Sequence, residues 1–325
     1  MTTGTTTYTG SYDVVDLGFL PGGSLSDATS IDASGVVAGT SQVNATNGPL
    51  HAFSWTSASG MVDLGTIGGD NGLGYGVNGG VVVGESQDAT GVFRAFLADG
   101  TGIHDLGGLP GGSGSDAHGV NALGVAVGSA RDPATYQRAV RFEGGLVIDL
   151  GTLLPGNQGN GRALAINDAG RIVGGSDSTL GGESAAAWDG GSVTELAPPP
   201  SIAVALNAAG DAVGSIGLPG ASTPALFQGG ATTDLGLLPG FDSGDARGIN
   251  SSGRIVGSAA RSMGENTEVH AFVTDGLTVS DLNDLVTTQD FTITRANAIS
   301  DAGWIAGQGV GPDGWSHALL LIPAP

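Results

Sequence analysis

The chain has no cysteine and no lysine in 325 residues. The first absence excludes disulfides, thiolate zinc centres, iron–sulfur clusters and a cysteine nucleophile. The second excludes a GxxxxGK[ST] phosphate loop. No GxGxxG stands between a strand pattern and a helix pattern, no GxSxG elbow marks a serine nucleophile, and neither HExxH nor an EF-hand loop occurs. The five histidines are scattered along the chain. The sequence therefore predicts neither a bound metal nor a cofactor.

Basic residues are scarce. Ten arginines face 31 acidic residues, for a formal charge of −21. A field of that sign repels phosphate backbones and anionic headgroups, which argues against nucleic acid or a membrane surface as partner. No apolar run reaches the length of about 18 residues that spans a bilayer. The opening segment "MTTGTTTYTGSYDVV" has neither a basic region nor an apolar run, so it does not read as a signal peptide. The expected location is cytoplasmic, or extracellular where a leader has been removed. The expected state is a monomer.

Glycine, in contrast, is abundant at 61 residues, and hydrophobic residues make up 40%. Glycine inside helices costs about 1 kcal/mol against alanine, so this mixture favours short strands and tight turns. Repetition is plain. The element [IV]N–x–x–G–x–[VI]–V–G has its polar position at Asp32, Asn78, Asn121, Asn167, Asn207, Asn250 and Ser300. An element of the form "DLG" begins at Asp16, Asp63, Asp105, Asp149, Glu195, Asp234 and Asp281. A buried-type pair begins at Ala52, Ala95, Ala139, Ala185, Ala225, Ala271 and Ala318.

The spacing of 40 to 50 residues between polar positions leaves room for four short strands per copy, as in "ARGIN", "RIVGS", "HAFVT" and "LTVSDL". Such a period predicts propeller blades. The chain opens with a lone fourth strand, "YDVVDLG", and closes with three, "ANAIS", "WIAGQ" and "HALLLI". The expected fold is thus an all-β, seven-bladed β-propeller with four antiparallel strands per blade. Its 3+1 closure has the N-terminal strand completing the last blade. The expected bounds are a flexible N-terminus at 1–11, one propeller domain at 12–322 and a tail at 323–325.

The triplets His51-Ala52-Phe53 and His270-Ala271-Phe272, set among "DLG" and "IN–x–x–G–x–VVG", resemble the HAF repeat family from Tyr12 to Ile322. That resemblance implies a propeller-like repeat protein, usually extracellular, with no common activity and no catalytic residues to carry over. The missing export signal departs from it.

Residues present in every copy serve every copy. The "DLG" carboxylates can bond backbone N–H groups where the outer strand ends. His51, His270 and His317 share one repeat position with Arg94 and Arg138 and read as packing or hydrogen-bonding residues. Function belongs where copies differ, on loops and strand ends around the channel. Two residues before the [IV]N hydrophobe stand Thr29, Tyr75, His118, Leu164, Val204, Arg247 and Asn297, within a frame of small residues. Arg162 and Arg295 precede the framing alanine where other copies have Asp27, Asp116 and Asp245.

These positions predict a channel mouth holding a small, anionic organic substrate. Arg162, Arg247 and Arg295 would bind it with Thr29 and Asn297, since guanidinium pairs bidentately with carboxylates. Tyr75 and His118 would be the catalytic pair that orients it or exchanges a proton. The reading is a cofactor-independent enzyme of cyclase, lyase or isomerase type. Its alternatives are an extracellular module binding glycan or protein, for which Trp315 is the candidate exposed aromatic, and a purely structural scaffold.

Overall fold

A computed structural model describes residues 10–44, 48–264 and 266–325. The described strands form seven four-stranded antiparallel sheets arranged as blades in a ring, a seven-bladed β-propeller. The inner strands of blades 1 to 7 are Ser26–Ile31, Gly68–Asn78, Ser115–Val120, Gly161–Ile166, Ser201–Leu206, Ser243–Ile249 and Thr292–Ile299. Blades 1 to 6 are each built in chain order from the inside out.

The seventh blade closes as the sequence predicts. Thr292–Ile299, Ile305–Val310 and Ser316–Pro323 come from the C-terminal part and Tyr12–Asp16 supplies the outer strand. Tyr12 pairs with Pro323 and Asp16 with Leu319. Pairing runs slightly past the expected bounds of 12 and 322, because the Ala324 N–H donates to the Ser11 carbonyl at 2.8 Å. Most of the stretch expected to be flexible, residues 1–9, lies outside the described residues. One feature had no sequence signal. The segment between blades 6 and 7 lies against the free edge of the closing strand, Tyr12 N–H donating to Leu285 and Thr287 N–H to the Tyr12 carbonyl. The segment covers the Tyr12 end of that edge and so shortens what another strand could pair with.

Packing explains the repeat. All seven motif alanines, Ala52 through Ala318, are completely buried. They sit in six apolar cores, each shared by two neighbouring blades, with Ala185 and Ala225 together in one; Phe53 of blade 1 meets Ala306 and Leu320 of blade 7, for instance. The "DLG" aspartates do what their position suggests. Asp63 accepts from the Gly65 N–H at 2.7 Å, and Asp16, Asp105, Asp149 and Asp234 accept likewise from the glycine two residues on. They also hold the basic side chain of the third strand: His51 on Asp63, Arg138 on Asp149, His270 on Asp281 and His317 on Asp16.

The motif asparagines bind the ring together. Asn121, Asn167, Asn207 and Asn250 each close their own turn through Oδ1, as when Asn167 accepts from the Arg171 N–H at 3.0 Å. Each Nδ2 then reaches the next blade. Asn167 donates to the Asn207 carbonyl at 3.2 Å, Asn207 to Asn250 at 3.4 Å, and Asn250 to Ser300 at 3.1 Å. Asp32 has no such donor and instead accepts from the Gly80 N–H. Asn167→Asp keeps the acceptor and loses the donor, setting a carboxylate oxygen against the buried Asn207 carbonyl, which retains only the Gly210 N–H. It is expected to cost about 2 kcal/mol in denaturant unfolding, whereas Asp32→Asn, whose Oδ1 still closes its own turn and which gives up only the bond from the exposed Gly80 N–H, is expected to cost less than about 1 kcal/mol.

Candidate functional site

Every inner strand carries a β-bulge at the same place, and those of blades 2 and 7 have a second irregularity nearer their start, between Gly68 and Gly72 and between Ile293 and Arg295. In blade 1 Ala28 pairs with Gly39 and Ser30 with Ala38, leaving Thr29 as the extra residue. Tyr75, His118, Leu164, Val204, Arg247 and Asn297 are the extra residues of blades 2 to 7. A bulge re-aims the side chain it carries. Here all seven face a cavity of about 550 Å³ along the propeller axis. The variable position of the repeat thus lies on the wall of the channel in all seven blades.

The second strand makes room for the bulge. Opposite it stands the last glycine of the [VI]–V–G motif, and a Cβ there would overlap a backbone oxygen of the inner strand. The pairs are Gly39 with Asp27, Gly128 with Asp116, and Gly257 with Asp245, and the other four blades repeat them. This is why the motif ends in glycine.

Around the ring the bulge residues divide by chemistry. Arg247, Asn297, Thr29, Tyr75 and His118 come from blades 6, 7, 1, 2 and 3 in succession, and Leu164 and Val204 from blades 4 and 5. In the polar arc, Arg247 Nε lies 2.6 Å from Asp245 Oδ2 and 3.2 Å from Ser258 Oγ. Its Nη1 is 3.4 Å from Asn297 Oδ1. Asn297 Nδ2 donates to Asp27 Oδ1 and to the Ala28 carbonyl, both at 2.9 Å. The Thr29 hydroxyl donates to the Gly74 carbonyl at 2.9 Å. Asp27 also lines the cavity. Burial pushes its carboxyl up to about 6, against the opposing pull of Arg295, Arg247 and the Asn297 hydrogen bond.

Tyr75 and His118 stack face to face, with centroids 4.6 Å apart and planes 10° from parallel. The Tyr75 hydroxyl donates to Glu85 Oε1 at 2.8 Å, and His118 Nε2 lies 3.2 Å from Asp116 Oδ1. Burial, then the Glu85 charge, pushes the Tyr75 phenol far above its ordinary range. The two carboxyls are driven apart. Burial raises Glu85, reinforced by the Asp116 charge, although the Tyr75 bond opposes it. Burial acts on Asp116 too, but the hydrogen bonds from His118 and Ser129 outweigh it and hold that carboxyl below its usual range. Glu85 and Asp116 also line a second cavity of about 240 Å³ between blades 2 and 3. The stacked pair thus faces the channel, and its carboxylate partners face the side cavity.

Of the expected site residues, Tyr75, His118, Arg247, Thr29 and Asn297 meet in the channel. Arg162 does not line it. Its guanidinium is held bidentately by Glu183, Nε to Oε1 at 2.8 Å and Nη2 to Oε2 at 2.7 Å. Arg295 is exposed and outside the lining, its side chain makes no hydrogen bond or ion pair among the described residues, and it acts on Asp27 through space. The expected cluster of three arginines is therefore one lining arginine with a second nearby. Trp315 is 44% exposed in its loop. Among the described residues no group of three histidines and carboxylates is arranged to hold a metal, and no helix is long and apolar enough to cross a membrane. Asp27 is the addition that sequence reasoning passed over, since its desolvation depends on neighbouring blades.

No protein-family model and no curated protein matches the chain. Solved structures do. An acylaminoacyl peptidase from Pyrococcus horikoshii is 12% identical with a TM-score of 0.51, over 91% of this chain and 52% of that one. TolB from Acinetobacter baumannii is 12% identical with a TM-score of 0.47, over 90% and 81%. A gluconolactonase from Xanthomonas campestris is 14% identical with a TM-score of 0.41, over 79% and 91%. Likeness at these identities concerns the fold alone.

Proposed function

We propose that the chain is a cofactor-independent enzyme of the cyclase, lyase or isomerase type, acting on an anionic organic molecule in the axial channel. The observation that supports this most is the ring of seven bulges. A scaffold whose blades otherwise repeat one design devotes one position per blade to a different side chain, all facing one cavity. Its volume is that of an ordinary small-molecule site.

The roles follow from the groups present. Asp27 is the proton acceptor or donor, because a carboxyl near 6 exchanges protons readily around neutrality. Arg247, with Asn297 and Thr29 beside it, holds the anionic head, and Arg295 adds positive potential nearby. Tyr75 and His118 form the facing wall and handle the second proton, with Glu85 and Asp116 behind them as partners of opposed acidity. Rigid placement of one reactive conformer and fixed dipoles at the developing charge supply the acceleration. The repeat signature, which resembles the HAF family, belongs to the scaffold in this reading and has no part in the chemistry.

The test is conversion without added cofactor. Purified protein is incubated with small-molecule extracts, and products are followed by chromatography and mass spectrometry. Wild type is expected to convert at least one organic acid to an isomer or elimination product. Asp27→Asn should slow this by roughly 10²–10⁴-fold, and Arg247→Gln should weaken substrate binding by about tenfold to a hundredfold. Conversion that survives both substitutions would remove the channel from the mechanism.

A further inference from the structure

We infer that the channel takes an amphiphilic organic acid, whose anionic head faces blades 6, 7 and 1 and whose hydrocarbon body lies on blades 4 and 5. This rests on the channel being a small-molecule site and adds the class of molecule. From blades 4 and 5 the cavity wall consists of Leu164, Ala165, Ile166, Val204, Ala205 and Leu206, with no polar side chain among them. These blades differ from the rest in a second way. The aliphatic residue before the polar position of the motif is buried in blades 1, 2, 3, 6 and 7, at Ile31, Val77, Val120, Ile249 and Ile299. In blades 4 and 5 the equivalent Ile166 and Leu206 remain accessible.

Two adjacent blades thus present bare hydrocarbon to a cavity whose opposite wall carries Asp27, Asp245, Arg247 and Asn297. Arg247 has a donor to spare. Asp245 and Ser258 occupy its Nε and Asn297 its Nη1, while Nη2 has no partner among the described residues. A fully hydrophilic acid would satisfy the arginine and leave the aliphatic wall wet. A plain hydrocarbon would cover that wall and strand the charges without water. Only a molecule with both characters satisfies both walls, and placing its head at Arg247 sets its body across the axis on Leu164 and Val204.

Titration calorimetry on the intact protein with butyrate, hexanoate, octanoate, octan-1-ol and gluconate tests this. In wild type the carboxylate series is expected to tighten roughly threefold to fourfold per added methylene, with octanoate well ahead of gluconate and octan-1-ol. Leu164→Asn with Val204→Asn should flatten the series to the level of butyrate. Arg247→Gln should weaken every carboxylate by about tenfold and leave the chain-length slope intact. Should the double variant fail to fold, Val204→Trp, which fills the apolar wall, must abolish octanoate binding in its place. A flat series in wild type, or a slope that survives the wall substitutions, overturns the amphiphile. If gluconate and octanoate bind alike and both need Arg247, the channel site stands and only the amphiphile falls. If none of the probes binds, both readings fall together.

Discussion

Gly128→Ala is expected to destabilise the propeller by about 3 kcal/mol or more, a large effect for one added methyl group. Gly128 lies on the second strand of blade 3, paired with Ala117 beside the bulge at His118. A Cβ there would overlap the Asp116 carbonyl oxygen and press on the Ala117 Cα. Both are backbone atoms in the middle of a sheet, so relief requires strand separation or loss of the bulge. Either outcome moves Asp116 and His118 together. The midpoint should fall by on the order of 5–10 °C, taking a few degrees per kcal/mol for a domain of this size. Channel ligands should weaken in step. Gly100→Ala is the control, since nothing lies within 4 Å of its added Cβ and its backbone needs no left-handed conformation. It should change stability by less than about 0.5 kcal/mol. Equal tolerance at the two glycines would show that the bulges do not depend on the opposing glycine.

The same glycine shows how far the sequence could be read. Its recurrence after two aliphatic residues marks a strand and counts the blades, and the unpaired strand patterns at the two ends disclose the closure. The reason for the glycine is not local. It answers a bulge on the neighbouring strand, roughly ten residues earlier in the chain, and only the register of Ala117 with Gly128 and of Gly119 with Val127 reveals it. The channel wall was legible for a related reason. Small residues on both sides of a freely varying position betray a backbone held fixed around a side chain that no packing constrains. Charge was harder. Arg162 and Arg295 stand at the same repeat position, yet Glu183 holds the first while the second has no side-chain partner among the described residues, and that carboxylate comes from a strand whose sequence gives no hint of the pairing. Asp27 likewise reads as one of several aspartates. Its raised pKa comes from burial beside blade 7, which only ring closure brings alongside.

Asp27→Asn should stabilise the folded chain above pH 6 by about 2–3 kcal/mol while impairing turnover. Burial raises the carboxyl from 3.8 to about 6, and each unit of displacement corresponds to about 1.4 kcal/mol. Because the folded value lies above the unfolded one, the native state binds the extra proton between about pH 4 and 6. The wild-type protein therefore loses this contribution as pH rises through that window and carries the full cost above it. The amide carries no charge to desolvate, and its oxygen still accepts from Asn297. The readout is the difference between wild-type and variant unfolding free energies across pH 4–8, in which the carboxylates common to both cancel. It should be near zero at the acid end and level off above pH 6. Ligand affinity should move the same way, because neutralising Asp27 removes a negative charge beside Arg247 and Arg295. A sulfonate probe, ionised throughout, should bind wild type about threefold to tenfold more tightly at pH 5 than at pH 7.5, and the variant tightly at both. Tighter binding with lost turnover would identify Asp27 as the proton-transfer group. A flat difference curve would mean that the carboxyl is solvated in the folded ring.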